Sequence, residues 1–192
     1  LAEEVFYRAG GLMAVNAILD AGLMLHDGAL ASSSLERLPG YAAIVLSKHD
    51  LQAGDVILIA SNSGRNAVPI EAALEARRRG LAVIALTSLA HSQAVASRHA
   101  SGKKLFELAD VVLDNGGRPG DAAVAVAGLP GPLGATSTVI GAALLHWLVH
   151  EVVQRLLARG VVPEVTISAN VPGGDEHNEA GFARYRARVR SL

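Results

Sequence analysis

Cysteine is absent from this 192-residue sequence. That excludes a disulfide scaffold and thiolate metal sites, and it fits a cytoplasmic protein. Aromatic residues make up only 4% of the chain while 51% is hydrophobic, so Ala, Val, Leu and Ile must build the core. An excess of one charge is lacking too: 17 Lys and Arg face 18 Asp and Glu, for a formal net charge of −1. Neither nucleic acid nor an anionic membrane is expected as the main partner, because both call for clustered basic charge. No apolar run is long enough to span a bilayer, since Gly, Asp or His interrupts the longest ones. No signal peptide is visible. Internal repeats and low-complexity linkers are also missing, so residues 1–192 are expected to form a single α/β domain with a mostly parallel sheet.

What is present is a succession of short apolar runs separated by polar, glycine-containing turns. Leu1–Ala9 suits a short helix ended by Gly10-Gly11; it has no cap before it, so an upstream segment is expected. LMAVNAIL (12–19) reads as a buried strand, and Asp20–Ser34 as a loop, with one helical turn before Pro39. Tyr41–Lys48 suits a helix. DVILIA (55–60) reads as a strand covered on both faces, and LAVIALTS (81–88) as a second. Between them lies a helix with Asn66 as N-cap, Pro69 in its first turn, an Ile70–Leu74 stripe, a Glu75–Arg79 pair and Gly80 past its end. Strand, helix and strand make a βαβ unit with a right-handed crossover.

Further on, His91–Lys104 is polar and irregular. Ala109–Leu113 is a third strand, DNGGRPGD (114–121) a turn, 121–128 a weaker strand and LPGPLGATS (129–137) a loop. Thr138–Arg159 is the longest helix. Its apolar residues run round most of its surface, so it is expected to be buried against the sheet and in an oligomer interface. Residues 161–178 read as extended and Ala180–Arg190 as a short basic helix.

Chemistry concentrates in SNSGRN (61–66). Ser61, Asn62, Ser63, Gly64, Arg65 and Asn66 follow a strand and open a helix, where backbone N–H groups and hydroxyls converge on an anion, phosphate above all. An ordinary βα turn with capping serines uses the same residues. Thr87 and Ser88 end the neighbouring parallel strand on the same edge, where ligands of open α/β sheets bind. They either extend the cradle or cap their own strand end.

His146 and His150 share a helix face at i,i+4, a spacing that can hold zinc but equally gives a polar stripe satisfied by neighbours. The second reading is preferred, so no metal site and no cofactor is assigned, with a divalent metal left as the alternative. Asp175, Glu176, His177 and Asn178 form either an acid/base or sugar-hydroxyl site, with His177 as the titrating group, or the N-terminus of a helix. Arg184, Arg186, Arg188 and Arg190 read as a solvated helix face.

DVILIASNSGRN, then a helix, then LAVIALTS resembles the central motif of the SIS family of sugar isomerase domains. Ser61, Ser63 and Gly64 match its Ser-x-Ser-Gly pattern, Asn66 stands at the last hydroxyl position and Thr87 matches the neighbouring strand end. SNSGRNAVPIE (61–71), IALTSLAHS (84–92) and GGDEHN (173–178) resemble a group of uncharacterised bacterial SIS proteins similar to phosphoheptose isomerase. The resemblance implies a flavodoxin-like three-layer sandwich that binds a phosphorylated sugar, as a homodimer or homotetramer.

It also implies aldose–ketose isomerisation. AEEV (2–5) resembles the segment that carries a catalytic Glu in phosphoheptose isomerases, which points to Glu4. His146 is the candidate for the His that those enzymes place on the long helix. Moving a proton between adjacent carbons through an enediol needs such a base. A solvated Glu in a helix's first turn is the plainer alternative for Glu4. Glu4, His146 and His177 are thus the catalytic candidates. A non-catalytic phosphosugar sensor, or a lyase acting on a sugar-acid ether, would fit the same family.

Overall fold

Runs of β-branched and aliphatic residues at βαβ spacing fold as parallel strands here. The structure is a computed structural model that describes residues 1–192. Its elements are α1 (Ala2–Val5), α2 (Ala29–Glu36), α3 (Tyr41–Leu46), β1 (Val56–Ala60), α4 (Ala67–Arg78), β2 (Ala82–Thr87), α5 (Leu89–Gln93), β3 (Val111–Asp114), β4 (Ala122–Val124), β5 (Leu133–Ala135), α6 (Ser137–Ala158) and α7 (Gly174–Phe182). Short 3₁₀ turns occupy Ala21–Leu23, Leu25–Asp27 and Leu105–Glu107. The chain divides into two compact units, Asp20–Gly141 and Leu1–Leu19 with Ala142–Leu192. No helix is long and apolar enough to cross a membrane.

In the unit Asp20–Gly141 the strands lie in the order β1-β2-β3, all parallel, as an α/β fold requires. β2 is central and well covered: Val83, Ala85, Leu86 and Thr87 are buried. β1 is an edge strand. Ile57 is buried but Val56 is 61% exposed, which corrects the expectation of cover on both faces. α4 begins after Asn66 as expected, and Gly80 follows it at φ +81°. Ile70, Ala73 and Ala76 are sealed from solvent, whereas Leu74 is largely outside the core. Steps of three residues put those small side chains on one line, so the helix can lie close to the sheet while Leu74 falls on its flank.

Glu75 pairs with Arg79 at 2.6 Å and with Arg78 at 2.7 Å. The stretch expected as a loop, Asp20–Ser34, contains two 3₁₀ turns and most of α2. Asp20 fastens it: its carboxylate accepts from the Tyr41 hydroxyl at 2.6 Å, from Lys48 at 2.9 Å and from the Gly22 N–H at 3.1 Å. Two further expectations are corrected. α5 occupies the start of the stretch expected to be irregular. The proline- and glycine-rich segment 129–137 contains β5, which pairs antiparallel with β4 as a hairpin.

The unit made by the chain ends departs more from expectation. α1 is a single turn because Phe6 is extended at φ −109°, ψ 129°; Tyr7 follows at φ +56°, and its ring stacks on Phe182 at 5.2 Å. Residues 12–19 form no strand; Leu12 makes one antiparallel bridge to Val165. Hydrophobic patterning there reflects burial of Met13 and Ala17 rather than ladder formation.

α7 starts at Gly174, after Gly173 in the left-handed region, not at Ala180. A Cβ on Gly174 would collide with the Ser168 carbonyl, and one on Gly181 with Met13. α6 matches its expected span closely. In the single chain Val139 is 70% exposed and Trp147 66% exposed. An apolar helix packed on one side only leaves its other apolar faces in solvent.

Candidate functional site

The parallel strands β1, β2 and β3 bring three loops to their C-terminal edge, and hydrogen bonds lace those loops together. The Ser61 N–H donates to the Leu86 carbonyl at 3.0 Å, continuing the β1–β2 ladder into the turn. The Asn62 carbonyl accepts from the Ser88 N–H at 3.1 Å and the Thr87 hydroxyl at 3.0 Å. The Asn115 N–H donates to the Thr87 carbonyl at 2.9 Å, and the Asn115 side-chain amide to Asn62 Oδ1 at 2.9 Å. Ser88 donates to the Gly117 carbonyl at 2.6 Å and accepts from the His91 N–H.

The turn Ser61–Asn66 is therefore held on one side by buried polar groups. On the other side it is clamped by the loop before Leu105. Gly64 sits at φ +56°, its carbonyl accepts from the Leu105 N–H at 2.9 Å, and a Cβ there would lie 3.0 Å from the Leu105 Cβ. Only glycine meets both demands without strain. The Ser92 hydroxyl, fully buried, lies close by and has no hydrogen-bond partner.

Several donors remain unused. The N–H groups of Ser63, Arg65 and Asn66 find no acceptor in the protein, and the Ser63 hydroxyl makes no hydrogen bond. The Ser61 hydroxyl accepts from the Gly64 N–H at 3.3 Å, which leaves its own proton to donate. Asn66 occupies the N-cap position but does not cap; its Oδ1 accepts from Arg98 at 3.1 Å. Orphan N–H groups at the positive end of a twelve-residue helix, beside two hydroxyls, make a cradle for an anion.

Thr87 and Ser88 are 0% exposed, and both hydroxyls are spent inside the protein. They position the turn rather than open onto it. Asn115 belongs to this set and was read only as turn chemistry. Its signal was its place: it follows a third parallel strand on the edge that carries Ser61.

The other candidates lie in the unit of the chain ends. Glu4 Oε2 and His146 Nε2 are 3.4 Å apart, and Arg8 Nε is 3.7 Å from the same oxygen. Glu4 and His146, each a candidate through the resemblance alone, thus lie within reach of one another. His150 instead lies against Trp147, ring centres 5.8 Å apart. His177 is exposed, and its Nε2 donates to the Val165 carbonyl at 2.9 Å, which leaves Nδ1 to accept. Asn178 bonds both backbone groups of Ile167, so it holds that segment to α7. Asp175 and Glu176 lie in the first turn of α7, where the helix dipole favours carboxylates. No group of three or more His, Asp or Glu is arranged to hold a metal ion.

The first part of the chain, residues 1–88, which holds this Ser-x-Ser-Gly turn, matches the SIS domain family. Relatives extend the likeness over nearly the whole chain. A UPF0309 protein of Listeria innocua is 46% identical over 189 residues, covering 98% of this chain and 76% of that protein. One from Geobacillus thermodenitrificans is 44% identical with the same coverage, and one from Caldanaerobacter subterraneus is 45% identical over 193 residues, 78% of its length. The chain belongs to the UPF0309 family.

Proposed function

We propose that the protein binds a phosphorylated sugar at Ser61–Asn66 and interconverts its aldose and ketose forms. The observation that carries the binding half is the set of unused donors: the Ser63, Arg65 and Asn66 N–H groups with the Ser61 and Ser63 hydroxyls. Neutral donors at a helix N-terminus suit a phosphate dianion without neutralising it, and SIS membership supports the same ligand class. Asn62, Thr87 and Ser88 set the shape of the turn, and Gly64 lets it close onto Leu105.

The reaction half rests on the other unit taken by itself. Glu4 and His146 form a carboxylate–imidazole pair at 3.4 Å, the chemistry an enediol mechanism needs. In this reading one member takes the proton from the carbon beside the carbonyl and returns it to its neighbour. The other handles the hydroxyl protons. His177 is a further candidate for that second role through its free Nδ1. The exposed apolar residues of α6 suit burial in a homodimer or homotetramer. Balanced net charge and the absence of cysteine accord with a cytoplasmic protein.

The test is incubation of purified protein with a panel of pentose, hexose and heptose phosphates, followed by NMR. Conversion of one of them supports the proposal; none converted removes the isomerase reading. A second reading, a non-catalytic sensor, is favoured by the tie between His177 and Val165, which leaves fewer groups to act as acid and base. It predicts a rise in melting temperature with a sugar phosphate that stays unchanged.

A further inference from the structure

Beside the phosphate turn lies positive charge that the turn itself does not use. The loop after α5 doubles back on it. The Arg98 N–H donates to the Arg65 carbonyl at 2.8 Å, and its guanidinium donates to Asn66 Oδ1 at 3.1 Å. Arg98 is thereby fastened to the residue that opens α4. Arg65 is half-buried; its Nε is sealed from water and has no hydrogen-bond partner. Arg37 follows α2, and its charge is felt at Arg98.

None of these three guanidinium groups pairs with a carboxylate, whereas Arg77, Arg78 and Arg79 on α4 all do. The charge of Arg65, then burial, then the charge of Arg37 make Arg98 a weaker base than usual, with Glu36 acting the other way. Three like charges against the single carboxylate of Glu36 repel, and a dry Nε forgoes its hydrogen bond. An anion among them would relieve the repulsion, and guanidinium forks match carboxylate and phosphate oxygens.

We propose that Arg37, Arg65 and Arg98 form a second anion subsite beside the Ser61–Asn66 turn, so that the preferred ligand is a sugar phosphate bearing a second acidic group. This rests on the phosphosugar reading and narrows it. The turn's neutral donors take the first phosphate. The arginines take the second group, a second phosphate or a sugar-acid carboxylate. A chain of net charge −1 that concentrates arginines at one edge spends them on a local ligand rather than on a long polyanion.

Titration calorimetry on the full chain tests this with fructose monophosphate, fructose bisphosphate, phosphogluconate, inorganic phosphate and pyrophosphate. The second acidic group is expected to tighten sugar binding about tenfold or more, as charged hydrogen bonds do. Bisphosphate against phosphogluconate tells which acid is preferred. In Arg98→Gln and Arg37→Gln that advantage is expected to shrink toward unity while the monophosphate still binds. Circular dichroism and urea melts check that both variants fold.

Equal affinity for mono- and diacidic sugars in the wild type, or an advantage that survives both substitutions, overturns the subsite and leaves the phosphosugar reading standing. Arg98-dependent preference for pyrophosphate over phosphate, with no sugar bound, upholds the subsite and removes the sugar. Binding of none of the five removes both.

Discussion

The side-chain amide of Asn115 donates to the side-chain carbonyl of Asn62 across 2.9 Å, tying the loop after β3 to the turn after β1. Asn115 also accepts from the Gly117 N–H at 2.9 Å, so its own orientation is fixed. Asn115→Ala removes both bonds and leaves Asn62 free to swing. A loss of about 1–2 kcal/mol in urea unfolding is expected. Phosphosugar affinity should fall several-fold as well; an unchanged affinity in the folded variant would show that the link is structural only.

Gly64 answers to two constraints at once, its positive φ and the nearby Leu105. Gly64→Ala should cost about 1–2 kcal/mol from the backbone alone. The side chain must also push Leu105 aside, which opens the clamp on the turn. Calorimetry with a sugar phosphate should then show weaker binding than the stability loss alone explains.

Glu4 and His146 touch, so each can be tested against the other. If the enediol reading holds, Glu4→Gln should lower turnover by about a hundredfold or more, the usual range for a lost acid/base group. Binding should persist, because a neutral amide removes the base and not the phosphate cradle. Thermal shift with the substrate, run beside the NMR assay, separates the two effects.

Asp121 bridges to the start of α6. Its carboxylate accepts from the Ser137 N–H at 2.8 Å, the Ser137 hydroxyl at 2.6 Å and the Thr136 N–H at 3.1 Å. Burial alone would raise its pKa, but these bonds outweigh that and hold the carboxyl below the usual aspartate range. The stabilisation is therefore present above the unfolded aspartate pKa and disappears as pH falls through the lower folded one. Asp121→Ala should cost about 1–2 kcal/mol near neutrality, as lost helix caps do. In acid the two urea curves should draw together.

Glu75 is pulled down to about 2 by hydrogen bonds from Arg78 and Arg79. Its contribution is complete above the unfolded glutamate value and is lost as pH falls toward about 2. Arg78 lies largely in solvent and Arg79 is part-exposed, so Glu75→Gln should cost only about 0.5–1 kcal/mol at neutral pH. Added salt should shrink the difference, which denaturant titration at two ionic strengths would reveal.

The βαβ unit and its turn were legible because each carries local chemistry: β-branched runs, a helix opened at Asn66, Gly80 past its end. The third strand was legible for the same reason. Residues 12–19 were not, because burial of Met13 and Ala17 mimics the pattern of a strand without any ladder. α1 was misjudged because the chain turns extended at Phe6, well before Gly10-Gly11, the only local stop signal. Within the site, Ser61, Ser63 and Gly64 announced themselves by motif. Asn115, Arg98 and the inward turn of Thr87 did not, since hydrogen bonds between distant loops leave no local pattern. His177 stood out by composition alone, and its bond to Val165 joins segments that no local pattern links.

Closing of the β4–β5 hairpin by Asp121 and Ser137 has a consequence for how such a chain can change. The residues between them leave and return through one carboxylate, and Val124, Leu129 and Leu133 along the way stay largely in solvent. Little of β1, β2 or β3 depends on what lies inside that ring. Segment 122–135 is thus an exchangeable cassette: length and composition can drift there, or be replaced by design, while the closure keeps α6 in phase and the phosphate turn undisturbed.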